Sequence, residues 1–469
     1  MRVSFANLMC NQIEKKPRRK FIFREVLEIL NENKHLSMNH NTNGNQEKKC
    51  ELYSKVCVAG SIKFVISEPR GEKEKNVEEK FSCNLATILA RDREVVAVAL
   101  KLFPNKCDVY ISKNEDWKRE DGNYINKIKA NLKSISKDAP VTLDAAFDRS
   151  DVGDLFEAIM DYCSTKFESR LNKLKNDITK RRQSQYILSF IEFAEFAGIE
   201  DVNEVHGYEI SEICNSYYKK VKDKTVIDDP ENWKKFLRHL RKVGSYDSAL
   251  VDITACACNE KYKKQFSNVN MVVLKPVIVS RQPIFSWANV IQKFIHSTKE
   301  YEKFKKRCLD DDFILGRLKE IYGTDSNANP QLNNEKIEQR LCLHAAMNIL
   351  KYIIDQRNKN PVFIAVSKHC CYLCELYIKF ARSKGYQIYT SGAHNNLYHR
   401  WVLPDTWDIT IKEDALKYMI ADLDRIIREE LEHHVDIKAR SDSEGESGVK
   451  VIYNFISNAE TAVPGMQVR

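Results

Sequence analysis

Three side chains in the C-terminal third of this 469-residue chain have the types and spacing of a metal site. His344 lies in "LHAAMNIL", and Cys371 and Cys374 follow one short segment later in "SKHCCYLCELY". Cysteines three positions apart in the first turn of a helix share one face, and the helix N-terminus favours the thiolate over the thiol. One imidazole and two thiolates suit zinc and leave a fourth tetrahedral position for water, as in catalytic sites. The sequence therefore predicts Zn²⁺ held by His344, Cys371 and Cys374.

Other interpretations of the cysteines stay open from the sequence alone. A single helix histidine is often only a polar contact, and a single C-x-x-C pair is redox-active or simply buried in many proteins. Cys370 could replace Cys371 as a ligand, or could close a structural zinc site as its fourth ligand. Cys256 and Cys258 have no histidine at matching spacing, and we interpret them as core residues.

The elements around these residues alternate between helix and strand. Apolar residues at three- and four-residue spacing predict one long helix over 333–357, which carries His344. The apolar run at 361–368 predicts a buried strand, and residues 371–385 predict a helix closed by Gly385. A strand in "YQIYTSG" and a long final helix in "KEDALKYMIADLDRIIREELEHHV" complete an α/β layer with right-handed crossovers.

The preceding part of the chain contains a second unit with β character. Residues 81–92 predict a helix, and 94–117 predict a hairpin of two β-branched runs separated by "PNK". Alternation at 52–68 predicts strand or mixed structure. From 120 to 335 the pattern is predominantly helical, with a β-leaning interlude at 268–287.

The stretch from Leu343 to Pro404 resembles the cytidine-deaminase-like superfamily. More narrowly, it resembles the deaminase-like family that is expanded in fungi and also seen in rickettsial bacteria. That family carries H-A-E on a helix, then S-K, then C-x-x-C, then a glycine–histidine segment ending in W-x-L-P. The matching residues are His344-Ala345-Ala346, Ser367-Lys368, Cys371-Tyr372-Leu373-Cys374 and "SGAHNNLYHRWVLP" at 391–404.

The resemblance implies an α/β fold: a cytidine-deaminase-like three-layer α/β/α domain with a large helical insertion and an N-terminal α+β extension. The hairpin at 94–117 would supply its first two strands. The implied division is an extension (1–80), the first helix and β-hairpin (81–117), a mainly helical insertion (118–335), a zinc-binding core (336–436) and a flexible break with a tail (437–469).

The resemblance also implies an activity, the hydrolytic removal of an amino group from cytosine or adenine. In such enzymes zinc activates a water molecule, and the glutamate of H-A-E moves the proton. The residues predicted to contact the substrate lie in the loop after the second strand: His394, Asn395, Tyr398 and Trp401. Trp401 and Pro404 could equally be packing and turn residues.

Ala346 departs from the family pattern at the decisive position, because the family has glutamate there. Loss of such a proton shuttle costs about 10²–10⁴-fold in rate, whereas the zinc ligands remain. Glu338 and Glu375 are nearby acids, but the position of Glu375 on its helix does not favour a substitute role. The chain is therefore either an introduced inactive form of a deaminase, which the intact remainder of the motif favours, or a natural pseudoenzyme that binds without turnover.

Composition places the chain among helix-rich globular proteins. It is 43% hydrophobic and 10% aromatic, with only 15 Gly and 11 Pro. We expect no membrane attachment, because no apolar run has the length of a membrane span. The N-terminus lacks the apolar region of a secretory signal, so we expect an intracellular protein, cytoplasmic or nuclear, with mostly reduced cysteines.

A net charge of +9 permits a polyanionic partner without requiring one. Basic clusters occur at 15–20, 180–182, 234–242 and 303–307, and interleaved acids favour solvated faces for the last three. The first, "KKPRRK", has the composition of a nuclear address. We expect a nucleic acid or a nucleoside as the substrate, and nothing in the sequence specifies an oligomeric state.

Overall fold

The computed structural model describes residues 45–69, 74–202, 204, 207–224, 229–323, 329–335 and 337–441. Three features of the sequence lie outside these residues: the basic run at 15–20, the helical spacing of apolar residues in "FIFREVLEILNEN" at 21–33, and the strand-like "VKVIYNFI" near the C-terminus. Among the described helices, none has both the length and the apolarity needed to cross a bilayer.

In the described residues, seven strands form one mixed sheet and one separate ribbon. They are β1 (Val96–Leu102), β2 (Cys107–Lys113), β3 (Val269–Val273), β4 (Ile278–Ile284), β5 (Ile337–Cys342), β6 (Val362–Val366) and β7 (Ile388–Thr390). The sheet has the order β3-β2-β1-β6-β7, in which β2–β3 and β6–β7 are parallel and the other two pairs are antiparallel. Strands β4 and β5 pair antiparallel beside it.

Helices make up most of the remaining structure. They are α1 (45–62), α2 (Val77–Ile88), α3 (Arg119–Lys137), α4 (Leu143–Phe147), α5 (Ser150–Lys180), α6 (Gln185–Phe196), α7 (Tyr208–Val221), α8 (Pro230–Val243), α9 (Ser245–Ala257), α10 (Lys263–Ser267), α11 (Trp287–Ile291), α12 (Thr298–Asp310), α13 (Asp312–Tyr322), α14 (Ala345–Asp355), α15 (Tyr372–Ser383) and α16 (Ile409–Ser441), with a 3₁₀ turn at Glu260–Tyr262.

The sheet separates two hydrophobic cores. Successive side chains of a strand point to opposite faces, so Val96 and Val98 belong to one core and Ala97 and Ala99 to the other. Helices α2 to α10 supply buried residues to the first core, and α1 with α11 to α16 to the second. This is a three-layer α/β/α arrangement, which confirms the predicted fold class.

Two sequence-based predictions of secondary structure are wrong. The helix predicted over 333–357 is interrupted, because β5 occupies Ile337–Cys342 and α14 begins only at Ala345. Gln339 and Leu341 are buried while their neighbours in β5 are more exposed, a period-two pattern that pairing with β4 stabilises. The strand or mixed structure predicted at 52–68 is helical as far as residue 62.

The predicted hairpin shares its sheet with the C-terminal strands. Val98 of β1 pairs with Ala365 of β6, and β3, from the segment predicted as an insertion, pairs with β2. The mainly helical segment is therefore tied into the same sheet. The division of the chain into five segments stays a prediction.

Candidate metal centre

The three predicted ligands converge on one point. His344 Nδ1 lies 3.4 Å from the Sγ atoms of both Cys371 and Cys374, and the two sulfurs are 3.4 Å apart. Ligands on a zinc tetrahedron with bonds of about 2.0–2.3 Å stand about 3.6–3.8 Å from one another. The observed spacing and the one-nitrogen, two-sulfur donor set therefore fit zinc. Among the described residues, Cys370 is not part of this cluster.

Helix ends, rather than helix faces, present these ligands. His344 is the N-cap of α14 and directly follows β5, so the prediction that it lies on the helix itself is corrected. Cys371 is the N-cap of α15, and Cys374 lies in the first turn of that helix. Two helix N-termini thus meet at the cluster, and their partial positive charges stabilise thiolate ligands.

The pKa values of the two buried thiols are shifted in opposite directions. Burial opposes ionisation of Cys371, but hydrogen bonding to Cys374 and the nearby His344 imidazole lower its pKa well below the usual range. Burial and the neighbouring Cys371 sulfur raise the pKa of Cys374, and the indole of Trp401 opposes that rise. Cys371 is therefore the thiol of the pair that ionises more readily, and zinc binding would require both thiols to lose their protons.

Asn114 positions α14, the helix that begins directly after His344, and was not predicted from the sequence. Its side-chain oxygen accepts a hydrogen bond of 2.7 Å from the backbone N–H of Ala345, the first residue of α14. A second hydrogen bond fixes the same helix, because the side-chain amide of Asn348 donates to Ser112 Oγ at 2.9 Å. The signal was a polar residue directly after the strand-like "VYISK", which is a suitable place for a capping side chain.

The S-K pair of the motif attaches residues 367–371, which we call the metal loop, to β1 and to the segment just before it. Ser367 Oγ accepts a hydrogen bond of 3.0 Å from the Val96 N–H, and Lys368 Nζ donates to the Arg93 carbonyl at 2.9 Å. These contacts fix the segment that leads from β6 to Cys371.

The glycine–histidine segment is attached to the same loop. The N–H of Cys370 donates to the Gly392 carbonyl, and the N–H of His394 donates to the Cys370 carbonyl, each at 3.0 Å. Cys370 therefore joins the two segments through its backbone instead of ligating metal.

A cavity of about 370 Å³ opens at the metal cluster. His344, Cys371 and Cys374 all line it, and so does Ala346, whose surface is 3% exposed. Glu320 of α13 supplies a carboxylate to the lining. The cavity thus brings the three candidate ligands, Ala346 and one carboxylate to the same opening.

The structure divides the four predicted substrate contacts into two pairs. His394 and Tyr398 line the cavity, whereas Asn395 and Trp401 do not. Asn395 is buried with φ +56° and donates to the Glu68 carbonyl at 2.6 Å. Trp401 is fully buried, so its place is in the packing around Cys374.

His394 is oriented as a hydrogen-bond donor. The N–H of Asn396 donates to His394 Nδ1 at 3.1 Å, so in the neutral ring the proton is on Nε2. Burial lowers the pKa of His394, which favours that neutral form. The ring of Tyr398 meets His394 edge to face at 5.6 Å and is itself 41% exposed.

The remaining predicted residues lie elsewhere. Glu338 is exposed on β5, and Glu375 is buried on α15 with Arg382 at 3.8 Å; neither lines the cavity. Cys256 and Cys258 are buried in the core between the sheet and the helices, as interpreted from the sequence.

Comparison with known proteins concerns the same stretch of chain. No curated protein and no solved structure matches the chain. Residues 343–405 match the model of a family described as OTT_1508-like deaminase. The matched segment contains all three members of the His344–Cys371–Cys374 cluster. Residues 343–405 are thus similar to that deaminase-like family, which confirms the resemblance seen in the sequence.

Proposed function

We propose that this protein is a hydrolytic deaminase for the amino group of cytosine or adenine, and that Ala346 suppresses its turnover. One observation carries the proposal: the ligand cluster opens onto a cavity that has Ala346 in its wall, inside the segment that matches a deaminase family.

In this proposal, the three ligands bind the metal and the residue at position 346 determines proton transfer. His344, Cys371 and Cys374 would hold zinc, which when bound lowers the pKa of water at the open fourth position. Ala346 has no group that accepts a proton. A carboxylate at that position would carry one proton of the attacking water to the ring nitrogen and the second to the amine that leaves as ammonia.

His394 and Tyr398 are the proposed substrate contacts. The Nε2–H of His394 offers a donor to a base oxygen or nitrogen, and the exposed ring of Tyr398 offers a face for stacking. Both residues come from the glycine–histidine segment, so the loop that packs against the metal loop also shapes the substrate site.

Ala346→Glu tests the proposal directly. We expect this variant to release ammonia from cytosine- or adenine-containing substrates about 10²–10⁴-fold faster than the unmodified chain. The substrates are free nucleosides and single-stranded DNA and RNA, with product bases identified by mass spectrometry. The cavity of about 370 Å³ has room for the longer side chain.

Ala346→Gln is the matched control, since glutamine has the size of glutamate without its basic carboxylate. It should bind as much zinc as the glutamate variant and remain as slow as the unmodified chain. A zinc-loaded glutamate variant that converts none of these substrates would refute the proposed function.

A zinc-stabilised binding module is the second candidate function, and Ala346 itself favours it. In that case Ala346→Glu restores no turnover, and the unmodified chain still binds its ligand. If the ligand is a nucleic acid, binding weakens steeply as salt rises.

A further inference from the structure

A second cavity, of about 360 Å³, lies beside the metal cavity and has a strongly basic lining. Its cations are Lys75, Lys219, Lys222 and Arg241, and we call this cavity the basic groove. Among the described residues that line it there is no aspartate or glutamate. Basic residues at helix C-termini are ordinary; here the ends of α7 and α8 bring theirs to one concave surface.

The basic groove and the metal cavity share part of their walls. Val366 and His369 line both, so the two openings lie on either side of the segment between β6 and Cys371. Ser367 and Ser391 face the groove, whereas Lys368 and His394 face the metal cavity. A ligand bound in the groove is therefore one short segment away from the metal cluster.

The positive charge continues beyond the groove lining. Arg170 donates to Ser245 Oγ, a groove residue, at 3.1 Å. Burial lowers the pKa of Lys166 to about 8, with repulsion from Arg170 and Lys368 acting in the same direction. Burial also lowers the pKa of Lys242, again with repulsion from Arg170. Cations that crowd in this way favour an anionic ligand.

Two aspartates that contact this surface accept hydrogen bonds from neighbouring side chains. Asp247 is buried and accepts from Asn215 at 2.6 Å and from Tyr208 at 3.1 Å. Asp252 accepts from Asn84, a groove residue, at 2.7 Å. These contacts hold α7, α9 and α2 together.

The helices that form the walls of the basic groove are closely packed. Gly244 joins α8 to α9, and a Cβ there would lie 2.5 Å from the backbone nitrogen of Asn215 on α7. At this contact the end of α8, which carries Arg241, packs closely against α7, which carries Lys219. A preformed cationic surface binds an extended anion with less loss of conformational entropy.

We infer that the basic groove holds the sugar–phosphate backbone of a single-stranded polynucleotide, one base of which enters the metal cavity. This inference rests on the proposed function and assigns its substrate class. The groove supplies cations for phosphates and hydroxyl and amide groups for sugars, and Tyr218 supplies an aromatic ring. A single strand is favoured over a duplex, because a base in a duplex must first leave its stack and lose its pairing to reach the buried ligand cluster.

The test uses the full chain with Ala346 in place, so that binding is measured without turnover. Fluorescence anisotropy of labelled single-stranded DNA and RNA is recorded across a salt series. Lys219→Glu/Lys222→Glu should weaken binding about tenfold or more. It should also reduce the salt slope by about 0.7 for each phosphate that the two lysines no longer neutralise.

Lys127→Glu/Lys133→Glu is the matched control, because both lysines are exposed on α3 and neither lines the groove. It makes the same change in net charge and should leave affinity nearly unchanged. Circular dichroism and thermal melting check folding. If the double reversal does not fold, Lys219→Gln and Lys222→Gln replace it, with a loss of affinity again expected.

Several results would overturn the inference. These are no binding of single strands, equal weakening by the control, tighter binding of duplexes, and a preference for anionic phospholipid vesicles over nucleic acid. Failure of the proposed function is a separate result. If Ala346→Glu converts free nucleosides as efficiently as single strands, the proposed function stands and the assignment of the groove fails. If Ala346→Glu converts nothing while the groove still binds single strands, the groove binds polynucleotides but the proposed function fails.

Discussion

Two adjacent cysteines show how finely the metal centre depends on single residues. Cys370 and Cys371 are both buried, but only Cys371 occupies the N-cap of α15 and faces His344. The backbone of Cys370 is fixed to Gly392 and His394, and among the described residues Cys370 is not part of the ligand cluster. Position at the helix start, and not burial, separates the ligand from its neighbour.

Cys371→Ser and Cys370→Ser should therefore differ in metal content. We expect the first variant to lose most of its zinc, because a serine hydroxyl is a poor replacement for a thiolate. The second should retain about one zinc per chain. Metal analysis by inductively coupled plasma mass spectrometry, after dialysis, measures both. Loss of zinc from the Cys370 variant alone would contradict the ligand assignment.

At the scale of elements, the position of α14 determines where His344 and residue 346 stand. This helix begins at Ala345, and its first N–H is held by Asn114, which follows β2. Capping contacts of this kind typically contribute about 0.5–2 kcal/mol. The residue that follows β2 thus orients α14 from a distant part of the sequence.

Asn114→Ala should lower the free energy of unfolding by about 1 kcal/mol, because the Ala345 N–H loses its acceptor. It should also weaken zinc binding, since the helix that carries His344 becomes less well fixed. Asn114→Asp is the control, because aspartate caps helices as well as asparagine. Urea denaturation and a zinc titration measure the two effects. Equal stability of the alanine variant and the unmodified chain would show that the contact has no capping role.

For the whole molecule, a buried ion pair connects the hairpin to the first helix of the predicted insertion. Lys113 of β2 is 1% exposed and donates to Asp121 of α3 at 2.6 Å, and Glu94 lies 3.1 Å from the same Nζ. Tyr162 of α5 donates to the other oxygen of Asp121 at 2.9 Å. One carboxylate therefore joins three parts of the structure next to Asn114.

Asp121→Asn should destabilise the fold by about 3–5 kcal/mol, because it leaves the buried Lys113 charge with only part of its compensation. Asp116→Asn, at an exposed position in the same connection, is the control and should have little effect. Chemical denaturation followed by circular dichroism measures both. A loss for Asp121→Asn no larger than for the control would mean that this pair does not hold the layers together.

Features that depend on residues close together in the chain were predicted from the sequence, whereas features that depend on distant residues were not. Cys371 and Cys374 share one helical turn, so their spacing alone placed both sulfurs on one side. The strand β6 and the helix α15 were also predicted from local patterns. The strand β5 was not, because its alternation is short and its pairing partner β4 lies more than fifty residues earlier.

By itself, the sequence determined the ligand types, the alternation of helix and strand around them, and the missing acid at Ala346. Tertiary structure decided that His344 caps a helix, that Asn114 holds that helix, and that Trp401 packs where substrate contact was expected. It also decided that cations from α7 and α8 meet beside the metal cavity. The physical reason is that local periodicity specifies an element and its buried face, whereas convergence of distant residues depends on how the sheet and its two helix layers pack.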